Sequence, residues 1–472
     1  MEPILVGGAW KDTHRSRPVV NPYDGREAFR VGQADPVDME AAITSAVSAF
    51  QKRALAPTYV RCAVLERATS LLSSRKEEFA RLITQETGKP IAFSTQEVDR
   101  AVLTLKTSAE EAKRVEGKTI PLDLVEASKG REAIIQKFPI GPISAITPFN
   151  FPLNLVAHKL GPAIASGCPV LLKPSSNAPV TSLRLGEVLL EAGLPEGYLS
   201  ILPCAGSEAS QLIENKEIKL ITFTGSPAVG WPLKARAGKK RVLLELGGNA
   251  AVIVHRDASV PHAIRQIIIG GFGNAGQSCI SVQRVFVHRD RLTEVQGPLV
   301  EAVSAIPVGD PWKNETVVGP MITREAAQKV EEWVKGAVAR GAKLLCGGGR
   351  SGAILEPSVL MGVARSEPVV CNEVFAPLIV LESYETEEEV LEAVNESEFG
   401  LQAGLFTNDA RFIFRAFREL EVGGLIINDS SAYRMDPMPY GGVKDSGFGR
   451  EGVKYAMEEM METKLLALSF SQ

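Results

Sequence analysis

The six cysteines of this 472-residue chain never stand in a Cys-x-x-Cys spacing: Cys62, Cys168, Cys204, Cys279, Cys346 and Cys371 lie far apart. That scatter argues against a zinc cage and a disulfide framework, so no metal site is expected and a reducing compartment is. Nowhere do 18 apolar residues run unbroken, and Met1 to Trp10 has neither a basic nor a long apolar stretch. No membrane span or secretory leader is expected, and a cytoplasmic protein is. Charge of one sign is scarce as well. The net charge is -4 and no Lys/Arg run of the kind that tracks a phosphate backbone occurs, which points away from nucleic acid and toward a small-molecule partner. There is no internal repeat and no low-complexity tract. With 45% apolar and 23% charged residues the chain reads as globular, and its length fits about three units of the usual ~150 residues.

Between Asp38 and Val115 apolar residues recur at helical spacing, notably in Met39 to Phe50, Val60 to Leu72 and Lys76 to Glu86. After Gly141 short apolar runs alternate with helix-like stretches: Ile143 to Ile146, Pro169 to Leu172, Leu199 to Leu202, Leu220 to Phe223 and Val242 to Leu244. Such alternation predicts βαβ units and a parallel sheet, with ligands at the carboxyl ends of the strands. A second α/β segment runs from about Ala250 to Gly449 and includes the helix-like Arg324 to Arg340. Two apolar pieces lack an obvious sheet. Ile120 to Phe138 reads as a hairpin around Ser128-Lys129-Gly130, and Lys464 to Phe470 as a terminal strand. Pairing with another chain and folding back as a β-ribbon on the same chain both satisfy such edges.

Three segments carry chemistry. Gly273-Asn274-Ala275-Gly276-Gln277-Ser278-Cys279-Ile280-Ser281 sets one cysteine in a glycine-flanked turn where a substrate can approach the thiol. Glu245-Leu246-Gly247-Gly248-Asn249 offers a carboxylate 34 positions upstream of it, a potential base. Thr147-Pro148-Phe149-Asn150-Phe151-Pro152 offers a side-chain amide able to hold an oxyanion. A further turn, Gly225-Ser226-Pro227-Ala228-Val229-Gly230, follows an apolar run and opens a helix with proline in its first turn. It stands where a G-x-G-x-x-G fingerprint would and exposes N–H groups suited to a pyrophosphate, with a dipole contribution of about 0.3–1 kcal/mol.

In combination these segments resemble the aldehyde dehydrogenase superfamily over nearly the whole chain, in particular its lactaldehyde, phosphonoacetaldehyde and non-phosphorylating glyceraldehyde-3-phosphate dehydrogenase branch. The resemblance implies an α/β fold with two Rossmann-like parallel-sheet domains plus a small β oligomerisation arm. Residues 1–118 and 138–247 would form the dinucleotide-binding domain, 248–449 the catalytic domain, and 119–137 with 450–472 the arm of a homodimer or homotetramer. Cys279 would be the nucleophile, Asn150 the oxyanion donor and Glu245 the base that activates water against a cysteine thioester. CoA-acylating relatives lack that glutamate, so Glu245 favours a free carboxylic acid over an acyl-CoA product. A non-catalytic binding protein of the same fold is disfavoured by the intact trio, and a thiol protease leaves the dinucleotide motifs unexplained.

The cofactor implied is NAD or NADP. The resemblance assigns its binding to Ile146, Thr147, Pro148 and Phe149, to Lys173, Ser175 and Ser176, to Gly225, Ser226, Val229 and Leu246, and to the clamp Glu373 and Phe375. Serine at 176, where the family often has Glu, removes a carboxylate that would repel a 2'-phosphate and so admits NADP. For the aldehyde, Phe151, Leu155 and His158 are expected to share one helical face; Arg100 and Arg434 resemble positions at the substrate entrance, while Ser278, also expected at the substrate, stands where members with phosphorylated substrates often have Arg. They suggest a short aldehyde with a polar or anionic group, hydroxyaldehydes such as lactaldehyde ahead of phosphorylated ones. An ion pair of Arg100 with Glu97 and a purely structural His158 are the plain alternatives.

Overall fold

The computed structural model describes residues 1–53, 55 and 57–469. Its first sheet has eight strands. The five central ones run parallel in the order Leu199–Ile201, Val170–Lys173, Ile143–Ile146, Leu220–Thr224, Arg241–Glu245. These runs are apolar without alternation and almost wholly buried, as parallel strands covered on both faces must be. Helices Pro36–Lys52, Thr58–Ser74, Lys76–Thr87 and Ile91–Ala112 belong to the helical layer that the N-terminal periodicity predicts. The strand order reverses between Ile143–Ile146 and Leu220–Thr224, which opens a crevice at their carboxyl ends. The segments around Asn150 and Gly225 leave the sheet there.

A second sheet of seven strands holds six parallel ones: Ser358–Met361, Leu378–Tyr384, Val282–His288, Ala250–Val254, Gln402–Phe406 and Gly424–Ile427. The helix Val260–Phe272 ends at the turn that carries Cys279, and Val282–His288 begins just after it. The nucleophile candidate is thus anchored on both sides by core elements.

The hairpin and the terminal strand share one sheet within the chain. Arg131–Pro139 lies between Lys118–Pro121 and Met461–Ser469, both antiparallel to it, with Met461 opposite Pro139 and Ser469 opposite Arg131. Phe470 to Gln472, which the expected arm included, lie outside the described residues. The arm also begins later than position 450. Gly447–Phe448 pairs with the first sheet, and helix Val453–Glu459 buries Val453, Ala456 and Met457 in the core beside it, since its apolar residues need that shelter. No helix among the described residues is long and apolar enough to cross a membrane.

Candidate active site

Cys279 sits past a tight turn in which Asn274, Ala275 and Gly276 all take left-handed backbone angles, φ 53, 55 and 67. Three such residues in succession are costly unless the surroundings fix them, and strain of this kind accompanies functional turns. Here Gly276 has no alternative: a Cβ on it would lie 2.1 Å from the Ala376 carbonyl oxygen. Gly276→Ala is expected to destabilise the protein by roughly 2–4 kcal/mol and displace the cysteine turn, measured by denaturant unfolding and by alkylation rate at Cys279.

The turn opens on a cavity of ≈ 400 Å³ lined by Cys279, Asn150, Glu245, Glu373 and Phe375, together with Arg100 and Arg434. Pro148, Phe149, Phe151, Leu155, Gly225, Ser226, Leu246 and Ser278 share this wall. The cysteine sulfur lies 2.9 Å from the Tyr440 hydroxyl, and burial pushes its thiol up to about 12, against the lowering effect of that hydrogen bond. Asn150 donates through Nδ2 to the Gln277 carbonyl at 3.1 Å, which fixes the amide beside the cysteine turn; its Oδ1 is buried without a partner. Glu245 ends its strand 3% exposed, with Oε2 unpartnered. Burial and then the nearby charge of Glu451 hold its carboxyl well above the usual carboxylate range.

Glu451 is one of several site residues that motif reading missed. Fully enclosed, it accepts from Lys159 Nζ at 2.9 Å, from Thr224 Oγ1 at 3.3 Å and from Arg434 Nη2 at 3.3 Å. Burial would raise its carboxyl, yet Lys159 and Arg434 prevail and hold it down at about 2. The Arg434 guanidinium stacks 3.6 Å from the Tyr440 ring and keeps a buried Nε–H without a partner. Asp436 is the second missed carboxylate. It receives Arg100 Nη2 at 2.8 Å, His158 Nε2 at 2.8 Å and Asn154 Nδ2 at 3.0 Å.

One expectation changes here and one alternative falls away. His158 does not line the cavity. Its helix starts at Asn154, with Phe151 just before it; Phe151 and Leu155 face the cavity together, while the His158 ring is 1% exposed, bound to Asp436, and burial holds its pKa below the usual value. Nor does Glu97 pair with Arg100. It makes a buried ion pair with Lys89 and accepts from the backbone N–H groups of Leu153 and Asn154, which leaves Arg100 to Asp436 at the cavity.

The dinucleotide residues fall into two groups. Glu373 and Phe375 reach the cavity, where Glu373 accepts from Gly248 N–H at 3.0 Å and burial lifts it to about 7. The Phe375 ring, on a residue with φ 52, meets Phe149 edge-on at 6.0 Å. Lys173, Ser175 and Ser176 lie outside the cavity, where Val170–Lys173 ends, with Ile146 and Thr147 beside them on the neighbouring strand end. Val229 stands half-exposed on the helix Pro227–Arg236. These residues fit a dinucleotide: Lys173 is 7% exposed and donates only to the Pro174 carbonyl at 3.2 Å, burial lowers its pKa, and Thr147 Oγ1 is buried without a partner. Ser176 Oγ donates to the Cys204 carbonyl at 3.3 Å, and no carboxylate replaces it at its own position.

The sequence profile described as "Aldehyde dehydrogenase family" matches residues 10–466. The chain belongs to this family. Among its relatives, 3-sulfolactaldehyde dehydrogenase of Priestia aryabhattai is 47% identical over 99% of this chain and 98% of its own. Aldehyde dehydrogenase 21 of Physcomitrella patens, solved with its reaction product succinate, superposes with a TM-score of 0.97 at 45% identity, covering 99% of this chain and 98% of that one. Glyceraldehyde-3-phosphate dehydrogenase GapN of Methanocaldococcus jannaschii, complexed with NADP, gives a TM-score of 0.93 at 37% identity over 97% of this chain and 100% of that one. The aldehyde dehydrogenase family oxidises aldehydes with NAD or NADP, and the α/β fold with its parallel sheets is the one this chain shares with these structures.

Proposed function

We propose that this aldehyde dehydrogenase oxidises a short aldehyde bearing an anionic group, such as a sulfonate- or carboxylate-substituted hydroxyaldehyde, to the free carboxylic acid. One observation carries the anionic part: Arg434, buried at the cavity wall, has an Nε–H with no partner and shares its charge with Glu451 at 3.3 Å. An unmatched buried guanidinium donor is costly unless a ligand completes it. Arg100, 30% exposed by its side chain, provides a second cation on the same wall. The names of the relatives from Priestia and Physcomitrella, with a sulfonated aldehyde and a dicarboxylate product, agree with this class.

In the reaction Cys279 attacks the aldehyde carbon as thiolate, giving a thiohemiacetal alkoxide held by the Asn150 amide and the Cys279 backbone N–H. A nicotinamide held in this crevice would supply the acceptor for the hydride of that carbon. Phe149 and Phe375 line the cavity, and Glu373, on the same wall, would hold a ribose hydroxyl. Glu245 then takes a proton from water, whose oxygen attacks the Cys279 thioester and frees the acid. Lys173 and Ser176 would hold the adenosine ribose of NAD or NADP.

The exposed edge of the Lys118–Pro121, Arg131–Pro139, Met461–Ser469 sheet, with Leu465 and Leu466 more than half exposed, supports a homodimer or homotetramer built on this arm. Unpaired cysteines scattered through the described chain suit the reducing cytoplasm. Sedimentation would read the oligomer.

Steady-state rates on anionic and neutral aldehydes of matched length test the substrate class. Arg100→Leu should raise KM for the anionic aldehydes by about 10- to 100-fold, the worth of a charged hydrogen bond, and spare the neutral ones. Asp436 keeps His158 and Asn154 in that variant, so the fold is not at risk. Equal losses on both series would end the anion reading.

A further inference from the structure

Among the described residues Cys279 Sγ has one hydrogen-bond partner, the Tyr440 hydroxyl at 2.9 Å. Among the described residues no lysine, arginine or histidine hydrogen-bonds to the sulfur. Burial opposes its ionisation most, and of the charged residues on the same cavity wall Glu373 and Glu245 add to that while Arg434 counters it. A thiol that must become a thiolate in such a place needs a donor.

Tyr440 is built for that task. It is 3% exposed, packed with Ile280 and Leu401, and its backbone is pinned in both directions to Glu451, with N to O distances of 3.0 and 2.6 Å. The same Glu451 carboxylate draws Arg434 toward the Tyr440 ring, where the guanidinium stacks at 3.6 Å. A cation over the ring withdraws electron density from the phenol and strengthens its O–H as a donor. The hydroxyl itself keeps its proton throughout the working range, because burial holds it well above the usual tyrosine value. In the neutral pair either atom donates. Once sulfur is ionised only the phenol does, and the bond becomes charge-assisted.

We propose that Tyr440 is a catalytic residue of this enzyme, whose hydroxyl donates to and stabilises the Cys279 thiolate, with Arg434 on its ring tuning that donation. The proposal rests on Cys279 being the nucleophile. It adds a donor on the sulfur side of the reaction, separate from the Asn150 amide on the oxygen side.

The test is the pH dependence of Cys279 ionisation in the full-length protein, read by thiolate absorbance and by iodoacetamide alkylation, with Cys279→Ser subtracting the other five cysteines. Tyr440→Phe keeps the ring and removes the hydroxyl. Its thiol midpoint should move upward by about one unit or more, a tenfold smaller ionisation constant, and the acid limb of the single-turnover acylation rate should move with it. Placing 3-fluorotyrosine at position 440 makes the phenol a stronger donor and should move the midpoint downward, a response that packing alone does not produce. A midpoint unchanged in both variants, with melting temperature and dinucleotide affinity intact, overturns the proposal. Full aldehyde oxidation after complete alkylation of Cys279 would instead overturn the nucleophile assignment beneath it.

Discussion

Cys279→Ala is expected to lower aldehyde oxidation by about 10⁴-fold or more, while melting temperature and dinucleotide affinity stay near those of the parent. The size follows from the chemistry. An sp² aldehyde C–H is a poor hydride donor, and only after a nucleophile has made the carbon tetrahedral does the alkoxide drive the hydride out. Without the sulfur, the amide of Asn150 has no oxyanion to hold, so its contribution of about 2.7–4 kcal/mol is lost together with the covalent step. The fold is spared because the side chain is only partly buried and makes a single hydrogen bond, to Tyr440. Rapid-mixing assays that still showed a burst of reduced dinucleotide in this variant would mean that another group forms the tetrahedral intermediate.

The part of this site that motifs announce is the part carried by short, distinctive turns. Asn150 and Glu245 could be found because each stands where an apolar strand run ends, and Cys279 because it stands in a glycine-flanked turn between a helix and a strand; all three line one cavity. The charged shell beneath them was not legible. Asp436 meets Arg100 across 336 positions and Glu451 meets Lys159 across 292, and nothing local separates a buried lysine from a solvated one. The choice between a substrate-facing and a structural His158 was open for the same reason: its place on the helix Asn154–Ser166 is local, while Asp436, which its ring bonds, lies 278 positions away. Tyr440 had a faint signal, an aromatic directly before Gly441-Gly442, where a backbone turn brings one side chain toward a pocket. The terminal strand was legible as a strand, while its pairing partner, 328 residues earlier in the case of Lys464 and Gln136, was open.

The second large effect concerns the pair of buried carboxylates. Glu451→Gln is expected to destabilise the protein by about 3–5 kcal/mol at neutral pH, since Lys159 and Arg434 would keep their charges in the interior without a counter-charge. The sign with pH follows from Glu451 being held at about 2, below the ordinary value of 4.5. A depressed carboxyl gives stability that is complete above the unfolded value and disappears as pH falls through the folded one. Parent and variant should therefore converge in stability as pH drops from about 4.5 toward 2. Catalysis moves too, by a different route. The negative charge of Glu451 is, after burial, the main reason that Glu245 protonates so readily, and Lys159 acts against it. Glu245 must be ionised to take a proton from water, so the acid limb of the deacylation rate reports its pKa. Glu451→Gln should shift that limb to lower pH, whereas Lys159→Met, which removes a favourable positive charge, should shift it to higher pH. Opposite displacements by two variants that both weaken the fold cannot come from lost stability, so this pair of profiles separates electrostatic control of Glu245 from structural damage.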